Sequence, residues 1–246
     1  MSESENFLLP PYYTLDNANY PNKKSLELQY ILFDLDGTLT NSEEGIIKCV
    51  RYALDKLGRE IPGEEDLLKF IGPPLVDSFR DIMGMTKEEA AHATAVYRER
   101  YNVTGLFENK VYDGMEELLR TLSKEGYHLA VATSKPQMPT EEILKHFHLD
   151  TYFEVIVGSS LDHTRDTKTA VMLEALKQLG VDSEDKKKKA LMIGDRKFDI
   201  LGAKECGIAS LGVYYGFAPA NELEENGADY IVQQVPEILE TIHRLS

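Results

Sequence analysis

Tyr30-Ile31-Leu32-Phe33-Asp34-Leu35-Asp36-Gly37-Thr38 reads as an apolar strand that ends on two carboxylates and a turn glycine. Side chains at i and i+2 leave a strand on the same side, so Asp34 and Asp36 are delivered to one spot. Two anions that close repel each other, and a bound cation or a shared proton is what holds such a pair together. A calcium loop of the helix-loop-helix type also opens on Asp-x-Asp, but it needs glycine at its sixth position and glutamate at its twelfth. Counted from Asp34, those places hold Leu39 and Gly45. A plain turn accounts for Asp36-Gly37. It leaves Asp34, at the end of a buried strand, without a reason.

Beyond Thr38 the pattern turns helical. Gly45–Leu57 carries Ile46, Ile47, Val50, Ala53, Leu54 and Leu57 at one-face spacing. Further helices are predicted at Leu67–Phe70, Leu75–Met83 and Glu88–Tyr101, separated by Gly63, Gly72-Pro73-Pro74 and Gly84. Residues 41–110 therefore read as a four-helix insert without strands. From Val111 the texture changes. Helices are expected at Asp113–Lys124, Thr140–Phe147, Thr169–Leu179, Lys197–Cys206 and Pro236–Arg244. Between them, Tyr127–Thr133, Val155–Val157, Ala190–Ile193, Ala209–Val213 and Tyr230–Val232 read as strands. Apolar strands alternating with amphipathic helices predict an α/β fold, a Rossmann-like parallel sheet with helices on both faces. The core comprises residues 26–40 and 111–246. Residues 1–25, polar with prolines at 10, 11 and 21, read as an irregular N-terminal extension.

At 246 residues and 42% hydrophobic content, the chain suits one large domain or a core with an insertion. A formal net charge of −15 argues against nucleic acid and against an anionic membrane surface. An anionic substrate meets a repelling global field, so a local cation must capture it. The Lys186–Lys189 run is expected to be a solvated loop instead. Two cysteines, Cys49 and Cys206, exclude a disulfide framework and fit a reducing cytosol. No stretch approaches the length of a signal peptide or a membrane span, so a cytoplasmic protein is expected.

In open parallel sheets, ligands bind outside the carboxyl ends of the strands. Such ends carry Asp34 with Asp36, Thr133 with Ser134, the Arg165–Lys168 region, and Gly194-Asp195 with Asp199. Singly, Thr133-Ser134 and Asp195 also suit helix caps, Asp199 suits a helix dipole, and Lys168 suits a helix surface. Together they make a hard, all-oxygen site of the kind that takes Mg²⁺ with a phosphate. Phosphoryl transfer needs little beyond such positioning and charge neutralisation. A carboxylate nucleophile can form an aspartyl-phosphate, and a second carboxyl can move protons.

The order Asp34-Leu-Asp-Gly-Thr38, Thr133-Ser134, Lys168 and Gly194-Asp195-Arg196-Lys197-Phe198-Asp199 resembles the four motifs of the haloacid dehalogenase superfamily. The likeness covers essentially all of residues 29–240. The helical insert resembles the small cap of the phosphoglycolate-phosphatase-like branch. Gly72-Pro73-Pro74, Gly158-Ser159-Ser160 and Thr164-Arg165 look most like its phosphoglycolate phosphatase and 5′-nucleotidase relatives. The resemblance implies that Asp34 is the nucleophile and a Mg²⁺ ligand. It makes Asp36 the general acid/base, its backbone carbonyl also reaching the metal. Thr133, Ser134 and Lys168 become phosphate binders, and Asp195 the third protein ligand of Mg²⁺. Asp199 becomes a ligand of the metal's water shell or a brace for Lys168, and Gly37 supports the turn.

The function so implied is a Mg²⁺-dependent phosphatase acting on a small phosphorylated metabolite, as a monomer or weak dimer. Arg51, Lys69, the Gly72–Leu75 loop and Arg80 are the expected substrate contacts of the cap. A phosphomutase shares every core residue and differs in how the cap retains a bisphosphate. A dehalogenase of the superfamily lacks the second aspartate, so Asp36 argues against it. A catalytically silent phosphate-binding sensor or scaffold usually loses one of the acids, and here Asp34, Asp36 and Asp195 all stand.

Overall fold

The computed structural model describes residues 26–160 and 164–246. The irregular extension expected at 1–25 lies outside the described residues. Along the chain come β1 (Tyr30–Phe33), β2 (Thr40–Asn41), α1 (Glu43–Lys56), α2 (Glu64–Leu68), α3 (Leu75–Met83), α4 (Lys87–Tyr101) and β3 (Lys110–Val111). They are followed by α5 (Met115–Lys124), β4 (His128–Pro136), α6 (Gln137–His146), β5 (Val155–Ser159), α7 (Lys168–Gln178), α8 (Glu184–Lys187) and β6 (Ala190–Gly194). The chain closes with α9 (Lys197–Cys206), β7 (Ala209–Val213), α10 (Glu222–Glu225), β8 (Tyr230–Val232) and α11 (Val235–Leu245).

Six strands form one sheet in the order β5-β4-β1-β6-β7-β8. Every pairing is parallel, with Ile31 opposite both Leu129 and Leu191. Alternation along β1 turns Ile31 and Phe33 to one face and Leu32 to the other, and all three are fully buried. The first face packs Leu129, Val131, Leu191 and Ile193 against Leu118 and Leu122 of α5, Ile143 of α6, and Ile238 and Ile242 of α11. The second packs Ala130, Ala132 and Met192 against Val171, Met172 and Ala175 of α7 and Ala203 of α9. Burial on both faces is why these strands read as continuous apolar runs. Each fully buried Leu, Ile or Phe stabilises the sheet by roughly 1.5–3 kcal/mol.

Helices α1–α4 stand between β2 and β3, which pair antiparallel with Thr40 opposite Val111 and Asn41 opposite Lys110. The insert thus leaves and re-enters the core side by side. Its α1 buries Ile46, Cys49, Val50, Ala53 and Leu54, and α4 buries Ala90, Ala93, Val96, Tyr97 and Tyr101. The α4 start is fixed by a capping box, in which the Glu89 amide donates to Thr86 Oγ1 and the Thr86 amide donates to Glu89 Oε2. Phe70 meets Phe79 edge-on at 5.0 Å. The insert's apolar side chains run on into the first face of the sheet as one cluster.

Two sequence expectations need correction. The Lys186–Lys189 run is not a plain loop: α8 covers Glu184–Lys187, with the Ser183 side chain accepting from the Lys186 amide. Acidic partners one turn away, such as Glu184 for Lys187 and Asp185 for Lys188, favour that turn of helix. The strand expected at Tyr127–Thr133 runs to Pro136, with a register shift against β5 between Ala132 and Pro136. A residue before proline is held extended, so Lys135 continues the strand. None of the described helices is long and apolar enough to cross a membrane.

Candidate active site

The turn after β1 is built on one carbonyl. Leu35 O accepts from the amides of Thr38, Leu39 and Thr40, while the Gly37 amide donates to Thr40 O. Gly37 takes φ +80, and a Cβ there would lie 2.1 Å from Asp195 Oδ2 and 2.7 Å from the Phe217 ring. Only glycine lets the turn lie against Asp195 in that conformation. The Asp34 amide donates to Ile193 O, which locks the strand end beside β6.

Three carboxylates converge at these strand ends. Asp34, Asp195 and Asp199, all buried, each place an oxygen within 4.8 Å of the others. Lys168 answers them, its ammonium 2.9 Å from Asp34 Oδ1 and 2.7 Å from Asp199 Oδ1. It also donates to Ala132 O at 3.3 Å. Lys168 opens α7, where the helix dipole disfavours a cation, so the carboxylates are what hold it there. Asp195 Oδ2 accepts from the Phe217 amide at 2.7 Å, and Oδ1 accepts from Thr38 Oγ1 at 3.5 Å. Asp199 Oδ2 accepts from the Arg196 amide at 3.0 Å. Gly194 makes that approach possible, since a Cβ there would lie 2.1 Å from Asp199 Cγ.

Charge does not balance in this cluster. Burial raises the Asp195 carboxyl well above the usual carboxylate range, with Asp199 and Asp34 adding to it. Burial likewise pushes Asp199 up to about 6, with Lys168 opposing and Asp34 adding. Burial pulls the Lys168 ammonium down, but Asp199 and Asp34 outweigh it and hold it above the ordinary lysine value. Three buried carboxylates against one ammonium leave a deficit of positive charge in an oxygen-lined recess. That donor set fits a hard divalent cation.

Asp36 points elsewhere. Its Oδ2 accepts from Lys135 Nζ at 2.6 Å, and its Oδ1 is buried with no hydrogen-bond partner in the described structure. Lys135 also sits 5.0 Å over the ring of Tyr101, at the end of α4. Burial lowers its affinity for a proton, and Asp36 and Tyr101 more than restore it, so the ammonium is charged at neutral pH. Thr133, itself buried, ends the straight part of β4 and accepts from the Lys135 amide at 3.3 Å. Ser134 follows, half-buried.

The expected insert residues fall into two groups. Gly72, with φ +105, lies against Arg196: a Cβ would meet its Nη1 at 3.0 Å. Arg196 donates from that nitrogen to Ile71 O at 2.7 Å and from Nε to Glu222 at 2.8 Å. The loop after α2 is thereby tied to the residue next to Asp195. Arg51, Lys69 and Arg80 are not brought into the carboxylate cluster. Arg51 pairs with Glu64, Lys69 with Asp66 at 2.6 Å and Arg80 with Asp77 at 3.8 Å, all on exposed surfaces. Arg51 lines an open cavity of about 370 Å³ shared with Glu43, Lys48, Glu64 and Lys110.

Sequence reasoning missed Lys135, the Phe217 amide and the Arg196–Glu222 pair. Tyr215 was missed as well; its hydroxyl donates to Thr38 O at 2.9 Å and its ring packs on Tyr112 at 4.7 Å. A signal existed only for Lys135 and Arg196, each adjoining a strand-end motif.

Residues 31–213 match the family described as haloacid dehalogenase-like hydrolase. A 5′-nucleotidase of Pseudomonas aeruginosa is 46% identical over 204 residues, which cover 83% of this chain and 87% of that protein. The tyrosine-protein kinase PtkA of Mycobacterium tuberculosis is 37% identical over 203 residues, 82% of this chain and 68% of its own length. A crystal structure of a predicted phosphatase from Clostridium acetobutylicum superposes with a TM-score of 0.82 at 46% identity, over 88% of this chain and 99% of that one.

Proposed function

The chain belongs to the haloacid dehalogenase-like hydrolases, and from that membership we propose that it is a Mg²⁺-dependent phosphatase of small phosphomonoesters. Phosphoglycolate and nucleoside 5′-monophosphates are the substrate classes put forward. The buried Asp34–Asp195–Asp199 cluster, short of positive charge with Lys168 alone against it among the described residues, is the observation that carries the reading.

In this reading Asp34 is the nucleophile. Lys168 and the Leu35 amide, 2.7 Å away, hold its Oδ1, which leaves the other oxygen for attack on phosphorus. The bond to the leaving oxygen breaks as Asp36 donates a proton to it, and an aspartyl-phosphate forms on Asp34. Asp36 then accepts a proton from the water that hydrolyses this intermediate. Thr133, Ser134 and Lys168 hold the phosphoryl oxygens. Asp34, Asp195 and the backbone carbonyl of Asp36 are the residues that would hold Mg²⁺, with Asp199 bracing Lys168. Bound there, Mg²⁺ supplies positive charge against the phosphoryl oxygens. Residues 41–110 act as a cap over the strand ends, and the Ile71–Gly72 loop is their contact next to Asp195. Exclusion of bulk water by that cap strengthens every charge interaction beneath it.

A phosphate-release assay with Mg²⁺ on phosphoglycolate, sugar phosphates and nucleoside 5′-monophosphates tests the reading. Turnover by Asp34→Asn should fall by at least about 10⁴-fold. Activity within a few-fold of the wild type would remove Asp34 from the reaction.

A further inference from the structure

One buried cation at the strand ends has no part in the scheme above. Lys135 and Lys168 both stand at the strand ends, yet they serve different acids: Lys168 reaches Asp34 and Asp199, and Lys135 reaches Asp36. The Lys135–Asp36 pair is deeply set, with side chains only 7% and 14% exposed. A surface ion pair contributes little and wanders, but a buried one fixes the geometry of both partners. Pro136 keeps Lys135 extended and the Tyr101 ring packs against its ammonium, so the lysine is held from both ends. Asp36 is therefore not free to choose which oxygen it presents. Oδ2 accepts from Lys135, while the buried Oδ1 has no hydrogen-bond partner in the described structure.

A carboxyl group that must give and take one proton offers a single O–H. We propose that Lys135 is the positioning residue for Asp36: by occupying Oδ2 it reserves Oδ1 for the proton and turns that oxygen toward the leaving group. The inference rests on the phosphatase reading. In the first step the Oδ1–H bond breaks and the proton goes to the bridging oxygen, which keeps the electron pair of the broken P–O bond. The carboxylate left behind stays paired with the Lys135 ammonium. In the second step water attacks phosphorus, the bond from phosphorus to Asp34 breaks, and Oδ1 takes the proton that water releases. Tyr101 belongs to α4, so the same contact ties the orientation of the proton donor to the helical insert.

Leaving groups separate this role from a merely structural one. A primary alkyl phosphate needs a proton on its leaving oxygen, whereas 4-nitrophenyl phosphate releases a stable anion without one. Rapid-quench single-turnover kinetics, which read release of the alcohol or of 4-nitrophenolate before the shared hydrolysis of the aspartyl-phosphate, separate the two esters for the wild type, Lys135→Met and Lys135→Gln. General acid catalysis is worth roughly 10²–10⁴-fold, so this first step on the alkyl ester should slow by about 100-fold in Lys135→Met, with half-saturation within about threefold. On the aryl ester it should slow by less than about fivefold, which also certifies the fold. Lys135→Gln, which retains a donor without the charge, should move the same ratio in the same direction. An equal slowing of this step on both esters, an alkyl loss under about threefold, or failure of both variants to fold overturns the assignment. A wild type that hydrolyses neither ester overturns the phosphatase reading beneath it.

Discussion

Replacing Lys168 by Met removes a charge and keeps most of the aliphatic stem, so the loss is electrostatic. The side chains of Lys168, Asp34 and Asp199 are 6%, 11% and 1% exposed, which places the triad under the rule for buried rather than surface pairs. Removing one partner of a buried pair costs about 3–5 kcal/mol, because the remaining charge stays desolvated and unmatched. Here two carboxylates lose their cation at once, and Asp195 is already raised by burial and by those same two acids. For a chain of this size that cost lowers Tm by about 6–20 °C. The deficit should also depend on pH. Asp199 sits at about 6 in the fold against an ordinary 3.8, and without Lys168 it rises further. A carboxyl raised by folding favours the fold when protonated, so stability is lost as pH rises through the folded value. The variant should therefore lie closer to wild type at pH 5 than at pH 8. Calorimetry or urea unfolding at both values, in chelator, measures this. A deficit under about 1 kcal/mol at pH 8, or one that grows on acidification, refutes the account of Lys168 as the cluster's counter-ion.

Gly194→Ala puts a methyl 2.1 Å from Asp199 Cγ; it should cost about 1–3 kcal/mol by overpacking and reduce kcat, and wild-type urea midpoint and turnover would contradict the proposed packing. Glu108 is the second test of pH. Arg100, at 2.6 and 3.0 Å, and Lys48, at 3.0 Å, hold its carboxyl down at about 2 from an ordinary 4.5. A depressed carboxyl adds stability above its unfolded value and loses it as pH falls toward the folded one. Glu108→Gln should thus cost about 1–2 kcal/mol at pH 7, discounted for a side chain 19% exposed. Urea midpoints should show that cost more than halved by pH 3, and an unchanged difference would count against the pair.

The acids were legible because their positions obey a local rule: polar residues directly after buried apolar strands lie at the carboxyl edge of a parallel sheet. Asp34, Thr133 and Asp195 follow it, and Lys168 and Asp199 stand one helix start away. Lys135 follows it too, but its side chain finds Asp36 across 99 positions of sequence, and no periodicity encodes a pair between adjacent strands. The Ser134-Lys135-Pro136 stretch did carry a usable sign, since a residue before proline stays extended. Ending the expected strand at Thr133, three residues short of Pro136, hid it. Arg51 and Arg80 were singled out as cations on the insert, and each instead meets an acid on its own surface. With Asp and Glu in excess, 42 against 27 Lys and Arg, an exposed arginine finds a local carboxylate readily. The short helices α8 and α10 span about one turn each and leave too little pattern to read.

Asn41 and Lys110 face each other across the antiparallel ribbon of β2 and β3, the spacing that a two-residue hairpin turn bridges. Although 68 residues separate them along the chain, the chain leaves the core and returns to it through a single doorway. Beyond that doorway the helices meet the strand ends again where Arg196 reaches Ile71 and where Lys135 lies against Tyr101. The position of the helical block relative to the carboxylates of β1 and β6 is thus set by the doorway and by those contacts together.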